Sequence, residues 1–94
     1  MREATLEKAL CDYARKKGYL VYKFTSPQHR GVPDRQFVSP TGIVAFAEIK
    51  APGKKPSALQ EREMNLLRNR GVRVEWFDCL DNAKRWLDCI LDEV

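Results

Sequence analysis

Three side chains in the middle of the chain could act together on a phosphate: Asp34, Glu48 and Lys50, with thirteen residues between the two acids and a single residue between Glu48 and Lys50. Residues 36–38 and 43–50 are rich in apolar and β-branched types, and Ser39-Pro40-Thr41-Gly42 between them is a turn sequence, so the stretch reads as a β-hairpin. Side chains alternate along a strand. Glu48 and Lys50 therefore share a face with Phe46, Ala47 and Ile49 take the other, and Asp34 goes with Gln36. If Gly42 forms the one-residue bulge common in loops of this length, Asp34 falls opposite Glu48. Two like charges so placed weaken the sheet unless a cation lies between them. Mg²⁺ is typically held by one or two carboxylates and leaves its other positions to water and phosphate oxygens. An ammonium beside it, here Lys50, can orient an attacking water or offset charge developing on the phosphate. The plain alternative is a surface hairpin whose acids and lysine are solvated ion pairs.

Pro33-Asp34 followed by Glu48-Ile49-Lys50 resembles the PD-(D/E)xK nuclease signature. Phe24-Thr25-Ser26, Arg30-Gly31-Val32-Pro33-Asp34-Arg35, Glu48-Ile49-Lys50-Ala51-Pro52-Gly53 and Leu59-Gln60 are similar to the VRR-Nuc family, a virus-type replication and repair nuclease domain, over residues 3–81. The resemblance implies a phosphodiesterase that uses Mg²⁺ or Mn²⁺ and a fold similar to Holliday-junction resolvases. It also implies that an acid of the N-terminal helix supports the metal, for which Glu7 is the better match and Glu3 the second, and that a Gln near position 60 serves the site.

The bounds agree with one small domain over residues 1–94, a size that buries only about 60–65% of its unfolded surface. One domain must then both bind and cut. No apolar run approaches the ~20 residues of a membrane span, and the N-terminus lacks a signal-peptide core, so the expectation is a soluble cytoplasmic protein with no membrane partner. Cys11, Cys79 and Cys89 are odd in number and lack CxxC spacing, which points away from a disulfide framework or a zinc site. Charge is unevenly distributed. Residues 1–70 carry 14 Lys/Arg against 7 Asp/Glu and residues 71–94 carry 3 against 6, so the net +4 divides into +7 and −3. Positive charge travels with the candidate site, as a polyanionic partner requires.

The elements that would position these groups follow from periodicity. Residues 3–17 read as a helix with Leu6, Leu10 and Tyr13 at helical spacing and Gly18 past its end, and Glu7 borders the apolar stripe beside Leu10 and Ala14. Residues 20–25 read as a strand beside the hairpin. The polar, basic loop that follows, Ser26-Pro27-Gln28-His29-Arg30-Gly31, leads to Asp34 and could touch a phosphate strand, with Ser26, Arg30, Arg35 and the Lys54-Lys55 loop as candidate contacts. His29 reads as a solvated loop residue, with a general acid or base role as the alternative. Residues 57–70 form a helix opened by Ser57-Ala58-Leu59-Gln60, a capping-box pattern, and closed by Gly71. Gln60 could bond back to the Ser57 backbone, or face the sheet and orient Lys50. Residues 72–77 have strand character and residues 81–92 close the chain as a helix. Trp76, Phe77, Trp86 and Leu91 exceed what a short tail needs, so a subunit interface stands beside core packing as their use.

The predicted architecture is α/β, in the order α-β-β-β-α-β-α, with a mixed central sheet flanked by helices and a restriction-endonuclease-like PD-(D/E)xK core. Asp34, Glu48 and the Ile49 carbonyl would hold one or two Mg²⁺ or Mn²⁺ ions, Lys50 would serve the water or the phosphate, Glu7 would support the metal and Gln60 would orient Lys50. The expected activity is metal-dependent, structure-selective endonucleolytic cleavage of DNA at four-way or related branches in DNA repair, with a homodimer suited to paired scissile strands. The alternatives are flap processing, a non-cleaving nucleic-acid-binding module, or an interaction protein.

Overall fold

The computed structural model describes residues 1–93; Val94, the last residue of the predicted domain, lies outside the described residues. The elements are α1 (Glu3–Lys16), β1 (Leu20–Lys23), β2 (Arg35–Val38), β3 (Val44–Ile49), α2 (Ala58–Asn69), β4 (Arg73–Phe77) and α3 (Leu80–Leu91). This is the predicted order, and the boundaries differ from those read in the sequence by only a few residues.

The strands form one mixed sheet in the order β1-β2-β3-β4, antiparallel through β3 and parallel between β3 and β4. Parallel pairing of β3 with β4 needs a crossover, and α2 supplies it. Alternation along β3 separates two environments. Ala45, Ala47 and Ile49 point to one face, where they pack with Phe37 of β2 against Leu6, Leu10 and Ala14 of α1 and Ala83, Leu87 and Ile90 of α3. Two alanines in succession on that face let the helices lie close to the sheet. Phe46 and Glu48 point to the opposite face, beneath α2.

The closing helix is tied to α1 and to the segment that follows it by polar contacts, one of them buried. The Tyr19 hydroxyl donates to the Leu87 carbonyl at 2.6 Å, and the Tyr13 hydroxyl donates to Asp88 at 2.7 Å. Trp86 packs edge-on to Phe37 and tilted against Phe77, and Leu91 lies against the same cluster. These three tail residues are thus core packing, the use the sequence favours over a subunit interface. Trp76 lies on the α2 face, opposite Glu48 in the β3/β4 register.

α2 does not cover its whole face of the sheet. Leu20, Tyr22 and Val44 share that face, by the registers Leu20↔Val38↔Val44 and Tyr22↔Gln36↔Phe46, and remain 56%, 50% and 41% exposed. The three cysteines are free, with Cys11 buried, Cys79 intermediate and Cys89 exposed. Among the described residues no helix is long and apolar enough to cross a membrane.

Stability should reside on the α1/α3 side. Leu87→Ala, at a fully buried position, should cost about 2–5 kcal/mol, whereas Leu66→Ala, at an exposed position of α2, should stay within about 0.5 kcal/mol. Urea melts of the two variants beside wild type check this, and equal losses would contradict it.

Candidate active site

The hairpin register decides whether the two acids meet. Arg35 pairs with Ala47 and Val38 with Val44, so one further step along the ladder sets Asp34 opposite Glu48, as the spacing predicts. The loop behaves as its sequence requires. Gly42 has φ of +89°, its N–H donates to the Ser39 carbonyl at 2.9 Å, and the Ser39 N–H donates to the Ile43 carbonyl at 2.8 Å. A three-residue loop ending in a left-handed glycine restores the register that faces acid to acid. On the other side of β2, the Phe24 N–H donates to the Asp34 carbonyl at 2.6 Å and keeps that backbone in line with the sheet.

The same ladder explains Pro33. The Ser39 bond to Ile43 sets odd-numbered residues of this strand toward β3, so two steps beyond the Arg35/Ala47 pair the Pro33 nitrogen faces the Ile49 carbonyl. Proline has no N–H to donate. The Ile49 carbonyl therefore receives no ladder bond from that residue, while the Ile49 side chain is buried in the α1/α3 core. The signal is in the sequence, in a proline one register step from an aspartate, and it becomes readable only once strand parity is fixed.

Glu48 is 2% exposed. Its Oε2 accepts from Gln60 Nε2 at 3.3 Å and lies 3.5 Å from Lys50 Nζ, whereas its Oε1 has no hydrogen-bond partner. Burial, reinforced by the Asp34 carboxylate, pushes the Glu48 carboxyl up to about 7, against the opposing pull of Lys50. A buried acid with one unsatisfied oxygen, facing a second acid, fits a hard cation. Among the described residues no group of three or more His, Cys, Asp or Glu gathers at one point. The available donors are two carboxylates and a backbone carbonyl, a set that suits Mg²⁺ or Mn²⁺ completed by water and phosphate better than a closed structural zinc site.

Gln60 completes the cap and also faces the sheet. Its Oε1 accepts the Ser57 N–H at 2.9 Å and its own N–H donates to Ser57 Oγ at 3.2 Å, completing the capping box, while Nε2 reaches the site. What it touches differs from the expectation. Its partner is Glu48, not Lys50.

Two other expected residues are engaged elsewhere. Glu7 Oε2 accepts from Arg35 Nε at 2.5 Å, and Arg35 projects to the Phe37 face of β2, away from the face of Asp34 and Glu48. The structure thus joins Glu7 to Arg35 and brings neither to the acid pair by hydrogen bond or ion pair. Arg35 is correspondingly not a free phosphate contact. Glu3 is exposed in the first turn of α1. Of the other candidate contacts, Ser26 is half-buried, and Arg30, Lys54 and Lys55 are exposed on the two loops that border the site. His29 is not merely solvated: its Nε2 lies 2.8 Å from Glu63 Oε1 on α2. Sequence reading passed over Glu63, whose only signal was an acid one turn beyond Leu59 on a helix expected to face the sheet.

A hairpin that presents an Asp…Glu-x-Lys set on a mixed sheet, backed by helices on both faces, defines the PD-(D/E)xK class of α/β domains. A solved structure described as a VRR_NUC domain superposes with a TM-score of 0.84 at 26% identity, over 92% of this chain and 94% of that one. A phage relative, "Putative nuclease p44" of Acyrthosiphon pisum secondary endosymbiont phage 1, is 46% identical over 81 residues, covering 86% of this chain and 87% of its own. No family model matches the chain. The chain belongs to the VRR-Nuc family.

The raised Glu48 carboxyl makes a signed prediction for the metal-free protein. Its folded value of about 7 exceeds the ordinary 4.5, so the folded state binds more protons than the unfolded between these limits, and stability falls as pH rises from about 4.5 to 7. The full effect is on the order of 3 kcal/mol. Glu48→Gln should flatten this slope and raise stability at pH 7.5, as read by urea melts in EDTA across pH 4.5–8; an unchanged slope would refute the assignment.

Proposed function

We propose that this chain is a metal-dependent phosphodiesterase that cuts DNA at a structured site, with four-way or related branched junctions as its substrate class. The observation that carries the reading is Glu48, buried, short of one hydrogen-bond partner and opposed by Asp34, with Lys50 alongside. Membership of a nuclease family supports the same reaction class.

Asp34, Glu48 and the Ile49 carbonyl are the residues that would hold Mg²⁺ or Mn²⁺. When bound, such an ion supplies Lewis acidity toward the phosphate and toward an attacking water. Gln60 holds the Glu48 carboxylate from one side, which limits its rotation and leaves Oε1 as the free oxygen. Lys50 carries a fixed positive charge beside the acids, placed to orient the nucleophile or to offset charge on the phosphate in the transition state. Arg30, Lys54 and Lys55 flank the site as exposed cations able to contact the DNA backbone without reading bases. Selection by shape follows from the elements available, since among the described residues no helix is set out from the domain as a groove reader. Glu7 supports this arrangement indirectly, by fixing Arg35 next to Asp34 in the chain.

Dimerisation suits a junction with paired scissile strands, and one observation favours it: the exposed apolar strip of Leu20, Tyr22 and Val44 on the part of the sheet face that α2 leaves uncovered. Tyr22→Glu should then shift the protein toward monomer in light scattering at micromolar concentration. A wild-type monomer under the same conditions would count against the dimer.

Activity is tested on a labelled panel of four-way junction, 5′ flap, single strand and duplex DNA with Mg²⁺, Mn²⁺ or EDTA. Cleavage should require the metal and fall at least about 100-fold in Lys50→Ala and in Asp34→Asn. Preference for the flap would move the substrate class to flap processing, and binding without cleavage in either metal would favour a non-cleaving module.

A further inference from the structure

We propose that His29 and Glu63 are positioning residues of the active site, docking the loop over residues 24–34 on α2 so that this helix fixes the spacing of the two acids. The inference rests on the metal-site reading above. The loop holds no helix or strand and ends on Asp34, and a connection of that kind ordinarily moves more than the elements it joins. The Phe24 N–H bond to the Asp34 carbonyl closes the base of this loop, and the residues between them still need an anchor if the Asp34 side chain is to keep its place. Two contacts supply one. His29 Nε2 meets Glu63 Oε1 at 2.8 Å, and Gly31, with φ of +87°, passes so close to α2 that a Cβ there would stand 3.0 Å from both the Leu59 Cγ and the Leu59 carbonyl oxygen. The second contact accepts only glycine, on both backbone and steric grounds.

Glu63 itself calls for an explanation. It is 8% exposed, although α2 otherwise turns its charged residues to solvent, and a buried acid is retained at a cost unless it has a partner. His29 is its one ion-pair or side-chain hydrogen-bond partner among the described residues. Leu59, Gln60 and Glu63 lie on one stripe of α2, at spacings of one, three and four residues. From that stripe Gln60 holds Glu48 and Glu63 holds the loop that leads to Asp34. One helix turn thus controls both acids. The His29 side chain is 57% exposed, so the pair is screened by water and adds little to global stability. Its loss should instead appear where the loop ends.

The test is Mn²⁺ binding, followed by the electron paramagnetic resonance of free Mn²⁺ at pH 7.5, together with metal-free melts and steady-state cleavage of the best panel substrate. Residues that orient metal ligands cost about 10–100-fold in metal affinity when removed. Glu63→Leu and His29→Ala should each weaken Mn²⁺ binding about tenfold or more and lower kcat with little change in KM, and their double variant should be no worse than either alone. Glu63→Gln, which retains an acceptor for His29, should restore binding close to wild type. The metal-free melting temperature of His29→Ala should stay near wild type, which keeps the test valid even if Glu63→Leu folds poorly. Mn²⁺ affinity within about threefold of wild type in His29→Ala would overturn the proposal and leave the pair a structural contact. Wild-type protein that takes up no Mn²⁺ would instead overturn the metal-site reading, and this inference with it.

Discussion

A carboxylate buried opposite another carboxylate is the constraint around which this molecule is arranged. Glu48 sits on β3, an inner strand of the sheet, almost wholly removed from water, with Asp34 across the ladder and one of its own oxygens unpaired. Either a proton or a cation relieves that position, and the rise of its carboxyl to about 7 expresses the first of these choices. Near neutral pH the proton is weakly held, which under the proposed metal-site reading would leave a divalent ion little opposition.

The fold can carry this weakness because its two faces are specialised. On the α1/α3 side the sheet presents Phe37, Ala45, Ala47 and Ile49, and the helices return a continuous apolar surface. No charge from the acid pair enters that core. Even Glu7 and Arg35, at its margin, neutralise each other directly. On the α2 side the packing is thinner and polar groups are held by specific bonds: Gln60 to Glu48, Glu63 to His29, and the Gly53 N–H to Asp78 at 3.1 Å. Stability from one face lets the other hold groups in arrangements that would not fold alone.

What could be read from the sequence was what depends on local periodicity. The hairpin, the facing of Asp34 and Glu48, and the Ser57/Gln60 cap all follow from a side-chain period of two, a left-handed glycine or a three-residue capping offset. What could not be read were partners set by tertiary approach. Periodicity sets Glu7 beside the apolar stripe of α1, yet only the packing of that helix on the sheet shows that Arg35 is its partner. Helical spacing lets Gln60 face the sheet, but whether its amide meets Glu48 or Lys50 turns on a rotation about one side chain. Trp86 and Phe77 looked surplus because the Phe37 ring that receives Trp86 lies some fifty residues away in the chain.

Pro33 links the two levels. In the sequence it is half of a motif and carries no charge, no donor and no acceptor on its side chain. In the ladder it occupies the position whose N–H would otherwise bond to the Ile49 carbonyl, one rung beyond the two facing acids. Removing one donor from a sheet normally costs pairing energy. Here the lost bond would leave an oxygen beside two carboxylates, so a backbone defect and an electrostatic defect coincide at one point. Each is unfavourable by itself, and a cation that takes oxygen ligands answers both. Their coincidence is a stronger argument for a metal site than either acid alone, because an accidental pair of facing carboxylates would have no reason to be accompanied by a proline on the adjoining rung.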